Sequence, residues 1–415
     1  MRSTSVPSPP LASVPALVHQ VNSSADISPR EVHDGLLHLL GLPADPIRDV
    51  MLGSVLTGLL LRGPRPGEVE AAIRAASTLD RGSWEYLAPP PGVRLVGYTG
   101  SGKKTYKTIN LSSAAALVAA AGGAHIAKLG SRSASSKTGS RDFMDLVGAR
   151  CETVPAQAMV DIAAECGFGF FSIENRVPEF DRRYGSRFQA VHALSLGFPA
   201  LLSPVSCQGF VYGLSHPAVG VSARLLYRLG INDVTVVNSS PVPESQVDEL
   251  IPGGTVRVCR LVAGRENSEL RDAVAEAAGT VGPFDLGSLA QRADPRANVA
   301  VVVRLLAGRT PAAARRTVAL NAAVLMVAAR SVPSLRAGMD TAHAVLDDGA
   351  ALETLRRFVS LTGGTPSTVD ALLGVSDDQR AAPTESGPRG LPQSAPVSAP
   401  GRLAVPPPDR EMTAC

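Results

Sequence analysis

Cysteine is scarce in this sequence of 415 residues, and its five cysteines lie far apart. None of them forms a Cys-x-x-Cys pair, and their density is too low for a disulfide framework. This usage excludes a small disulfide-stapled secreted domain. It predicts a reducing, cytoplasmic location.

The sequence also lacks a membrane-spanning run and a large excess of charge. No stretch is long and charge-free enough to cross a bilayer, and Pro7, Pro9, Pro10 and Pro15 interrupt any signal-peptide core at the N-terminus. The formal net charge is only +3, so overall electrostatics do not favour a nucleic-acid partner, although residues 96–141 are locally basic. We therefore expect no membrane partner and no nucleic-acid partner.

Apolar residues are abundant enough for a large core, since they make up 45% of the chain. The length favours one large or two modest domains. Residues 1–24 are rich in Ser and Pro and are predicted to be disordered, as is the Pro-rich tail at 365–415. Between them we expect a helical domain at 25–88 and an α/β domain at 89–364.

Local signals support this division. Ser28 to Glu31 has the Ser-x-x-Glu form of a capping box with Pro29 at the first helical position, and further prolines separate the helices that follow. Beyond residue 89, strand-like and helical segments alternate, which predicts an α/β fold with a central mixed sheet flanked by helices. The predicted strands lie at 167–173, 200–205, 234–238 and 256–262, and the predicted helices at 156–166, 217–229 and 318–329.

The rest of the chain is organised around the stretch from Val93 to Ala149. Residues 94–96 and 125–128 read as short strands, and a polar loop follows each of them, at 97–110 and 129–141. Both loops are rich in Gly, Ser, Thr and Lys. Backbone amides, hydroxyls and ammonium groups at the same end of one sheet can converge on an anion.

Three consecutive blocks in this stretch resemble the anthranilate phosphoribosyltransferases and the related pyrimidine nucleoside phosphorylases. Asn-Leu-Ser-Ser at 110–113 looks like the family's Asn-Ile-Ser-Thr, and Lys-Leu-Gly-Ser-Arg-Ser at 128–133 looks like its Lys-His-Gly-Asn-Arg-Ser. Ser-Ser-Lys-Thr-Gly-Ser-Arg-Asp at 135–142 is similar to Ser-Ser-Lys-Ser-Gly-Ser-Ala-Asp. Registered blocks are far more specific than one glycine motif. The resemblance extends over roughly residues 25–364.

The resemblance implies that 5-phosphoribosyl pyrophosphate binds in the two loops and loses pyrophosphate to an aromatic nucleophile. Negative charge then grows on the leaving group, so preorganised amides, cations and Mg²⁺ lower the barrier. It also implies a homodimer through the N-terminal helices. The expected donor-binding residues are Gly100, Gly102, Lys103, Lys104, Thr108, Asn110, Ser112, Ser113, Lys128, Arg132, Ser136 and Ser140.

A metal role is implied for three residues. Asp248 and Glu249 look like the family's Asp-Glu pair that supports Mg²⁺ through oxygen ligands, and Ser112 matches a hydroxyl ligand. An Asp-Glu pair is also common as the charged first turn of a helix. The family's acid in its Gly-Gly-Asp-Gly turn is replaced here by lysine, so we expect Lys104 to contact the diphosphate in place of one metal ion.

The acceptor side departs further from the family. A His-Pro-Ala-Met loop is shortened, and the expected acceptor-binding residues are Ser131, Asn175 and Arg182. If Glu174 or Asp181 faces the cleft, it would repel a carboxylate. We therefore predict transfer to a small aromatic or heterocyclic acceptor that is not anthranilate, with a neutral or cationic nitrogen heterocycle favoured.

Three alternatives stay open at this point. A nucleoside phosphorylase using inorganic phosphate also fits lysines in the first loop. A non-catalytic, nucleic-acid-binding relative would use the basic residues of the same fold and would bind DNA in a salt-dependent way. Residues 97–104 nearly spell a P-loop, but Lys104 stands where Mg²⁺ needs Ser or Thr, which disfavours an NTPase.

Overall fold

A mixed β-sheet lies at the centre of the computed structural model, which describes residues 14–23, 26–133, 136–185, 187–279 and 284–375. Within these residues the sheet has seven strands in the order β3-β2-β1-β4-β5-β6-β7. The first five strands are parallel to one another, whereas β6 pairs antiparallel with β5 and β7 pairs antiparallel with β6. The strands are β1 (Leu95–Gly100), β2 (His125–Gly130), β3 (Phe168–Ser172), β4 (Gly209–Gly213), β5 (Asp233–Ser240), β6 (Thr255–Val262) and β7 (Arg265–Glu266).

Helices cover both faces of this sheet, which confirms the predicted α/β class with a helical N-terminal part. The first group precedes the sheet: α1 (Val14–Asn22), α2 (Pro29–Gly41), α3 (Pro46–Leu61) and α4 (Pro66–Thr78). The second group connects the strands: α5 (Leu111–Ala121), α6 (Ser140–Leu146), α7 (Ala156–Cys166), α8 (Pro178–Tyr184), α9 (Phe198–Leu201), α10 (Val219–Arg228) and α11 (Ser268–Gly279). The last group is α12 (Pro295–Leu306), α13 (Ala312–Ala329), α14 (Leu335–Asp348), α15 (Ala350–Leu361) and α16 (Ser367–Leu373).

The N-terminal helices begin where the sequence signals place them. The Ser28 hydroxyl accepts a hydrogen bond from the Glu31 amide at 3.2 Å, and the Ser28 amide donates to the Glu31 carboxylate at 2.8 Å. These two bonds form the predicted capping box of α2. Asp45 caps α3 by accepting from the amides of Ile47 and Arg48. The prolines at 29 and 46 occupy first-turn positions that need no amide hydrogen.

The apolar faces of these helices share a core with one face of the sheet. Leu36, Leu56 and Ile73 belong to the same buried cluster as Phe210 and Val236 of β4 and β5. The opposite face of the sheet packs in a second cluster with α5, α7 and the helices from α12 onward. The domain limits predicted at 25–88 and 89–364 stay a prediction, since all described residues belong to one compact unit.

The two segments predicted to be disordered are wrong in part. Residues 14–22 form α1, whose Leu17 and Val21 are buried against the rest of the N-terminal helices. Residues 367–373 form α16, which packs on α12 through Val369 and Leu372. In both places a few apolar residues pack against other helices. Amino-acid composition alone does not reveal such a contact. The remainders, residues 1–13, 24, and 376–415, lie outside the described residues.

One predicted strand is wrong, and two strands, β4 and the two-residue β7, were missed. The segment predicted as a strand at 200–205 begins inside α9, where Pro199 occupies the first turn. The actual strand is β4, which was not predicted because its Gly-Phe-Val-Tyr-Gly sequence has glycines at both ends. Gly213 has no room for a side chain, since a Cβ there would lie 2.0 Å from the Asp248 carbonyl oxygen. Close backbone approach thus outweighs strand propensity.

Among the described residues, one helix is long and apolar enough to cross a membrane. It is α13, of which 72% is buried inside the protein. That degree of burial is typical of the core helix of a soluble protein.

Candidate active site

A cleft of about 440 Å³ opens at the carboxyl ends of β1 and β2. The loop that follows β1 and the loop that follows β2 both line it. Further lining residues lie between 173 and 185 and between 188 and 202 and include residues of α8 and α9. The two polar loops that the sequence predicts to converge therefore do meet in one cavity. Clefts beyond the carboxyl ends of parallel strands are common ligand sites in α/β proteins.

The first loop is tied tightly to the acidic residue Asp248. The Gly102 amide donates to its carboxylate at 3.0 Å, and the Ser101 amide donates to the Gly213 carbonyl at 2.7 Å. Gly100 leaves no space for a side chain, because a Cβ would lie 2.2 Å from a carboxylate oxygen of Asp248. Gly102 and Lys103 both have positive φ, at 63° and 61°. A non-glycine residue in this conformation is strained, and such strain is concentrated at functional sites.

The second loop is held by serine hydroxyls and by Asp142. The Ser133 and Ser136 hydroxyls lie 2.8 Å apart, and the amides of Ser133 and Gly139 donate to the Asp142 carboxylate at 3.0 and 2.8 Å. The side-chain amide of Asn110 joins this loop to the first by donating to the carbonyls of residues 138 and 139, each at 3.2 Å. The loops are thus preorganised relative to each other.

Most residues predicted to bind the donor line this cleft. Ser113 does not, because its side chain points from α5 into the core and is fully buried. The prediction that Ser113 binds the donor is therefore corrected. Ser113 lies one residue beyond Ser112, which does line the cavity. The residues that do line it are Gly100, Gly102, Lys103, Lys104, Thr108, Asn110, Ser112, Lys128, Arg132, Ser136 and Ser140. Their roles in binding stay predictions.

Lys128 is a buried cation at the floor of the cleft. It is the β2 residue paired in register with Tyr98 of β1, and its ammonium group lies 5.0 Å from the centre of the Tyr98 ring. The ammonium donates to the Leu129 carbonyl at 2.9 Å. Burial lowers the pKa of Lys128 to about 8. A desolvated cation of this kind gains much from a bound anion.

Asp248 and Glu249 line the cleft. The residues before them, 239–245, are an insertion relative to the family's motif. Backbone hydrogen bonds between Ser239 and Val247, at 3.2 and 2.9 Å, close the insertion into a loop of its own. The Ser239 hydroxyl also donates to the Glu249 carbonyl at 2.6 Å. The insertion therefore leaves the acidic pair in place, with Glu249 1% exposed and Asp248 6% exposed.

Lys104 sits on this acidic pair. Its ammonium group lies 2.6 Å from Glu249 Oε1, 3.4 Å from Asp248 Oδ1 and 3.0 Å from the Thr108 hydroxyl. Burial by itself lowers the pKa of Lys104, but the two carboxylates outweigh burial and raise it. Burial raises the pKa of Glu249, against the opposing effect of Lys104. The expectation that Lys104 points at a diphosphate is therefore corrected, since its charge is directed to the carboxylates.

The acidic pair does not fit a resident Mg²⁺ in this arrangement. Magnesium needs a near-octahedral set of oxygen ligands, and an ammonium group already lies between the two carboxylates. Among the described residues, no group of three or more His, Cys, Asp or Glu side chains converges to hold a metal ion. Ser112, the third predicted ligand, lines the same cleft.

An aromatic wall lines the same cavity as the polar loops, and it was not predicted from the sequence. Phe180 and Tyr184 of α8 stack at 4.5 Å, and Tyr184 and Phe188 stack at 5.0 Å. Phe198 packs edge-on against Phe180 at 4.8 Å. The spacing of residues 180 and 184 was the available signal, because residues four apart share one helical face, whereas Phe188 lies beyond the end of α8. A flat apolar wall of this kind suits a planar ring.

A polar cluster lies at the edge of this wall. The Lys103 ammonium lies 2.6 Å from His192 Nε2 and 3.1 Å from the Tyr184 hydroxyl, and that hydroxyl also hydrogen-bonds His192. Burial lowers the pKa of Lys103 to about 8. Burial and the charge of Lys103 both hold the pKa of His192 well below its usual range, so this histidine is neutral. Lys103 thus joins the donor loop to the aromatic wall.

Two of the three residues predicted to bind the acceptor lie outside the cleft. Arg182 is exposed on α8 and pairs with Glu179 at 2.8 Å, and the Asn175 side chain donates to Glu152 at 3.3 Å. Only Ser131 of the three lines the cavity. The error arises because successive helical residues point about 100° apart. The same turn of α8 that directs Arg182 to solvent brings Asp181 to the cavity, where Glu174 also lies.

The sequence matches a family model described as glycosyl transferase family, a/b domain, over residues 92–352. Anthranilate phosphoribosyltransferase from Nitrosospira multiformis is 31% identical, with 81% of this chain and 94% of the relative covered. The enzyme of the same name from Methylibium petroleiphilum is 32% identical, with 81% and 95% covered.

Solved structures give the same picture. Anthranilate phosphoribosyltransferase from Thermus thermophilus is 29% identical, with a TM-score of 0.66 and coverage of 84% of this chain and 99% of that one. The enzyme of that name from Saccharomyces cerevisiae, in complex with PRPP and Mg, has a TM-score of 0.63 with 84% and 98% covered. At 19% identity, the yeast structure supports the fold alone.

Proposed function

The chain belongs to the anthranilate phosphoribosyltransferase family of glycosyl transferases, a family of pentosyltransferases, and on this premise we propose the reaction of this member. It transfers the phosphoribosyl group of 5-phosphoribosyl pyrophosphate to a small aromatic or heterocyclic acceptor other than anthranilate. The observation that carries the proposal is a single cleft with two chemically different sides. One side is built from polar, cationic loops and the other from aromatic rings.

The polar loops suit the donor. Their amides and hydroxyls, together with the buried ammonium of Lys128, face a cavity at the ends of two adjacent parallel strands. As the bond from the anomeric carbon to pyrophosphate breaks, the electron pair leaves with the pyrophosphate oxygen. Donors fixed in advance stabilise that negative charge without having to reorganise. The low-dielectric floor strengthens each of these interactions.

The aromatic wall suits the acceptor. A planar ring against Phe180 and Tyr184 would lie in the same cavity as the donor loops. Ser131, in the second loop, lines the same cavity and can hydrogen-bond a polar group of the ring. Holding both reactants in one cavity turns a bimolecular encounter into a local step.

The polar groups near the wall argue against anthranilate. A carboxylate-bearing ring needs a cation to pair with, but Arg182 is outside the cleft and Lys103 is engaged by His192 and Tyr184. Glu174 and Asp181 line the same cavity and would repel a carboxylate. A neutral nitrogen heterocycle meets neither obstacle.

Mg²⁺ in this proposal arrives as the counter-ion of the donor's pyrophosphate. The ion supplies charge neutralisation of the leaving group when bound. Ser112, at the start of α5, is the protein group we assign next to it, because its hydroxyl lines the donor side of the cleft. We also propose a cytoplasmic homodimer that binds neither membranes nor nucleic acid.

Calorimetric titration with 5-phosphoribosyl pyrophosphate, in Mg²⁺ and in EDTA, tests the donor assignment. Binding is expected in both conditions and should be tighter in Mg²⁺. Ribose 5-phosphate is the matched ligand control, because it lacks the diphosphate and should bind at least about tenfold more weakly. Absence of binding in both conditions would contradict the donor assignment.

Release of pyrophosphate in the presence of an acceptor panel tests the acceptor assignment. Anthranilate, a neutral azole and a cationic pyridine are compared at equal concentration. Turnover of anthranilate at about 1 s⁻¹ or faster would show that the acceptor assignment is wrong. Nucleoside cleavage that depends on inorganic phosphate, without any pyrophosphate release, would favour the phosphorylase alternative.

A further inference from the structure

We propose that Lys104 is a built-in cation that occupies the Asp248–Glu249 pair in place of a metal ion, so that the free protein holds no divalent cation there. The inference deepens the proposed function and rests on it for the role of the pair. In this inference the positive charge next to the two carboxylates is supplied by the chain itself. Divalent metal then enters the cleft only as part of the metal–pyrophosphate donor.

The contacts of the pair account for three of its four carboxylate oxygens. Lys104 Nζ lies 2.6 Å from Glu249 Oε1 and 3.4 Å from Asp248 Oδ1, and the Gly102 amide donates to Asp248 Oδ2 at 3.0 Å. Within the described part of the chain, Glu249 Oε2 has no hydrogen-bond partner, and Asp248 Oδ1 has only its ion pair with Lys104. Two such oxygens beside an ammonium group do not make a magnesium site, which needs several oxygen ligands in octahedral geometry.

The position of Lys104 is fixed rather than accidental. Its side chain is only 19% exposed, and its ammonium also donates to the Thr108 hydroxyl at 3.0 Å. Two hydrogen-bond acceptors, Thr108 Oγ1 and Glu249 Oε1, and a third oxygen at ion-pair distance therefore surround the ammonium group. A metal ion bound by the same carboxylates would lie within a few ångströms of that ammonium, and the like charges would repel strongly in the buried cleft.

A lysine at the acidic pair acts differently from a metal ion. With a metal, the pair holds a movable divalent charge that can be gained or lost with the ion concentration. With Lys104, the positive charge is permanent and singly positive, and the Gly100–Lys104 loop is joined to Asp248 and Glu249 before any ligand arrives. The loop that faces the donor is thereby preorganised by the chain itself.

Electron paramagnetic resonance of Mn²⁺ with the full-length protein, without donor, tests the inference. Wild type is expected to bind no Mn²⁺ in the submillimolar range. Lys104→Gln, which keeps a hydrogen-bond donor but removes the charge, should bind Mn²⁺ at least about tenfold more tightly than wild type. Lys137→Gln is the matched control, because it removes an exposed lysine of the cleft loops away from the pair and should leave Mn²⁺ binding unchanged.

Stoichiometric Mn²⁺ binding by the free wild-type protein, no weaker than that of Lys104→Gln, would overturn the inference. The wild-type measurement decides this even if the variant does not fold, and circular dichroism checks the variant. The two experiments test separate hypotheses. Failure to bind 5-phosphoribosyl pyrophosphate would contradict the proposed function. Mn²⁺ binding by the free protein would contradict only the role proposed for Lys104.

Discussion

Neighbouring lysines with different partners define the chemistry of the cleft at the residue scale. Lys104 is neutralised by two carboxylates, whereas Lys103 faces a neutral histidine and a tyrosine hydroxyl. They are adjacent in the chain, yet the positive φ of Lys103 sends the two side chains to opposite sides of the cavity. Lys104 therefore holds the loop to the acidic pair, and Lys103 holds it to the edge of the aromatic wall.

The burial of Lys103 predicts a pH dependence of stability. Its pKa is about 8 in the folded protein against 10.5 for the ordinary side chain, so between these values only the unfolded chain binds the proton. Stability therefore rises with pH across this window, and the cost of burying the ammonium is fully present below pH 8. Lys103→Met removes this cost. The free energy of unfolding of the variant minus that of wild type should be about 1–3 kcal/mol larger at pH 7 than at pH 10.5.

Urea denaturation of both proteins across that pH range measures the difference. Lys137→Met, which removes an exposed lysine, is the control and should show no such trend. A wild-type minus Lys103→Met difference that stays constant with pH would mean that Lys103 titrates normally.

At the element scale, α3 presents an apolar surface that nothing in the described chain covers. Ile47, Val50 and Leu61 are 72%, 69% and 78% exposed. Their spacing of 3 and 11 residues places them on one side of the helix. The opposite side of α3 is buried, with Leu52, Leu56 and Leu59 in the core. A helix that is apolar on both sides is typical of an interface helix.

We therefore expect a dimer that Val50→Glu converts into a monomer. Burying a charge against a second copy of the same surface costs more than the contact gains. Light scattering after size-exclusion chromatography should give twice the 42.9 kDa chain mass for wild type and the single mass for the variant. Val242→Glu, at an exposed apolar position outside α3, should remain dimeric. A monomeric wild type at high concentration would remove this interface.

At the scale of the whole molecule, the N-terminal helices and the sheet are parts of one packed structure. The core that contains Leu36 and Ile73 continues into β4 and β5 without a boundary. Trp84 lies on the connection between α4 and β1, where its indole N–H donates to the Arg176 carbonyl at 2.8 Å. Elements that share a core are expected to unfold together.

Unfolding should accordingly be a single transition. Fluorescence of Trp84, the sole tryptophan, reports on the connection, and far-ultraviolet circular dichroism reports on all helices. The two urea transitions should coincide in midpoint and slope. A first transition seen only by circular dichroism would instead support an N-terminal helical domain of independent stability, with the limits predicted at 25–88.

The sequence by itself determined the features that depend on residues close together in the chain. Caps, glycine turns and apolar periodicity are local, so the α/β class, the two polar loops and most strands were predictable. Registered motif blocks within residues 110–142 were sufficient to indicate the family. The two β1 and β2 loops had to meet because parallel neighbouring strands end at the same edge of the sheet.

Only the tertiary structure decided which side chains meet across the cleft. Lys104 and Glu249 are 145 residues apart, so no local pattern shows that the lysine occupies the acidic pair. A rotation of α8 by one residue would exchange the positions of Arg182 and Asp181. Only the packing of α8 on the rest of the protein fixes that rotation. The short β4 depends on the close approach of Gly213 to Asp248, a contact between distant segments that outweighs local strand propensity.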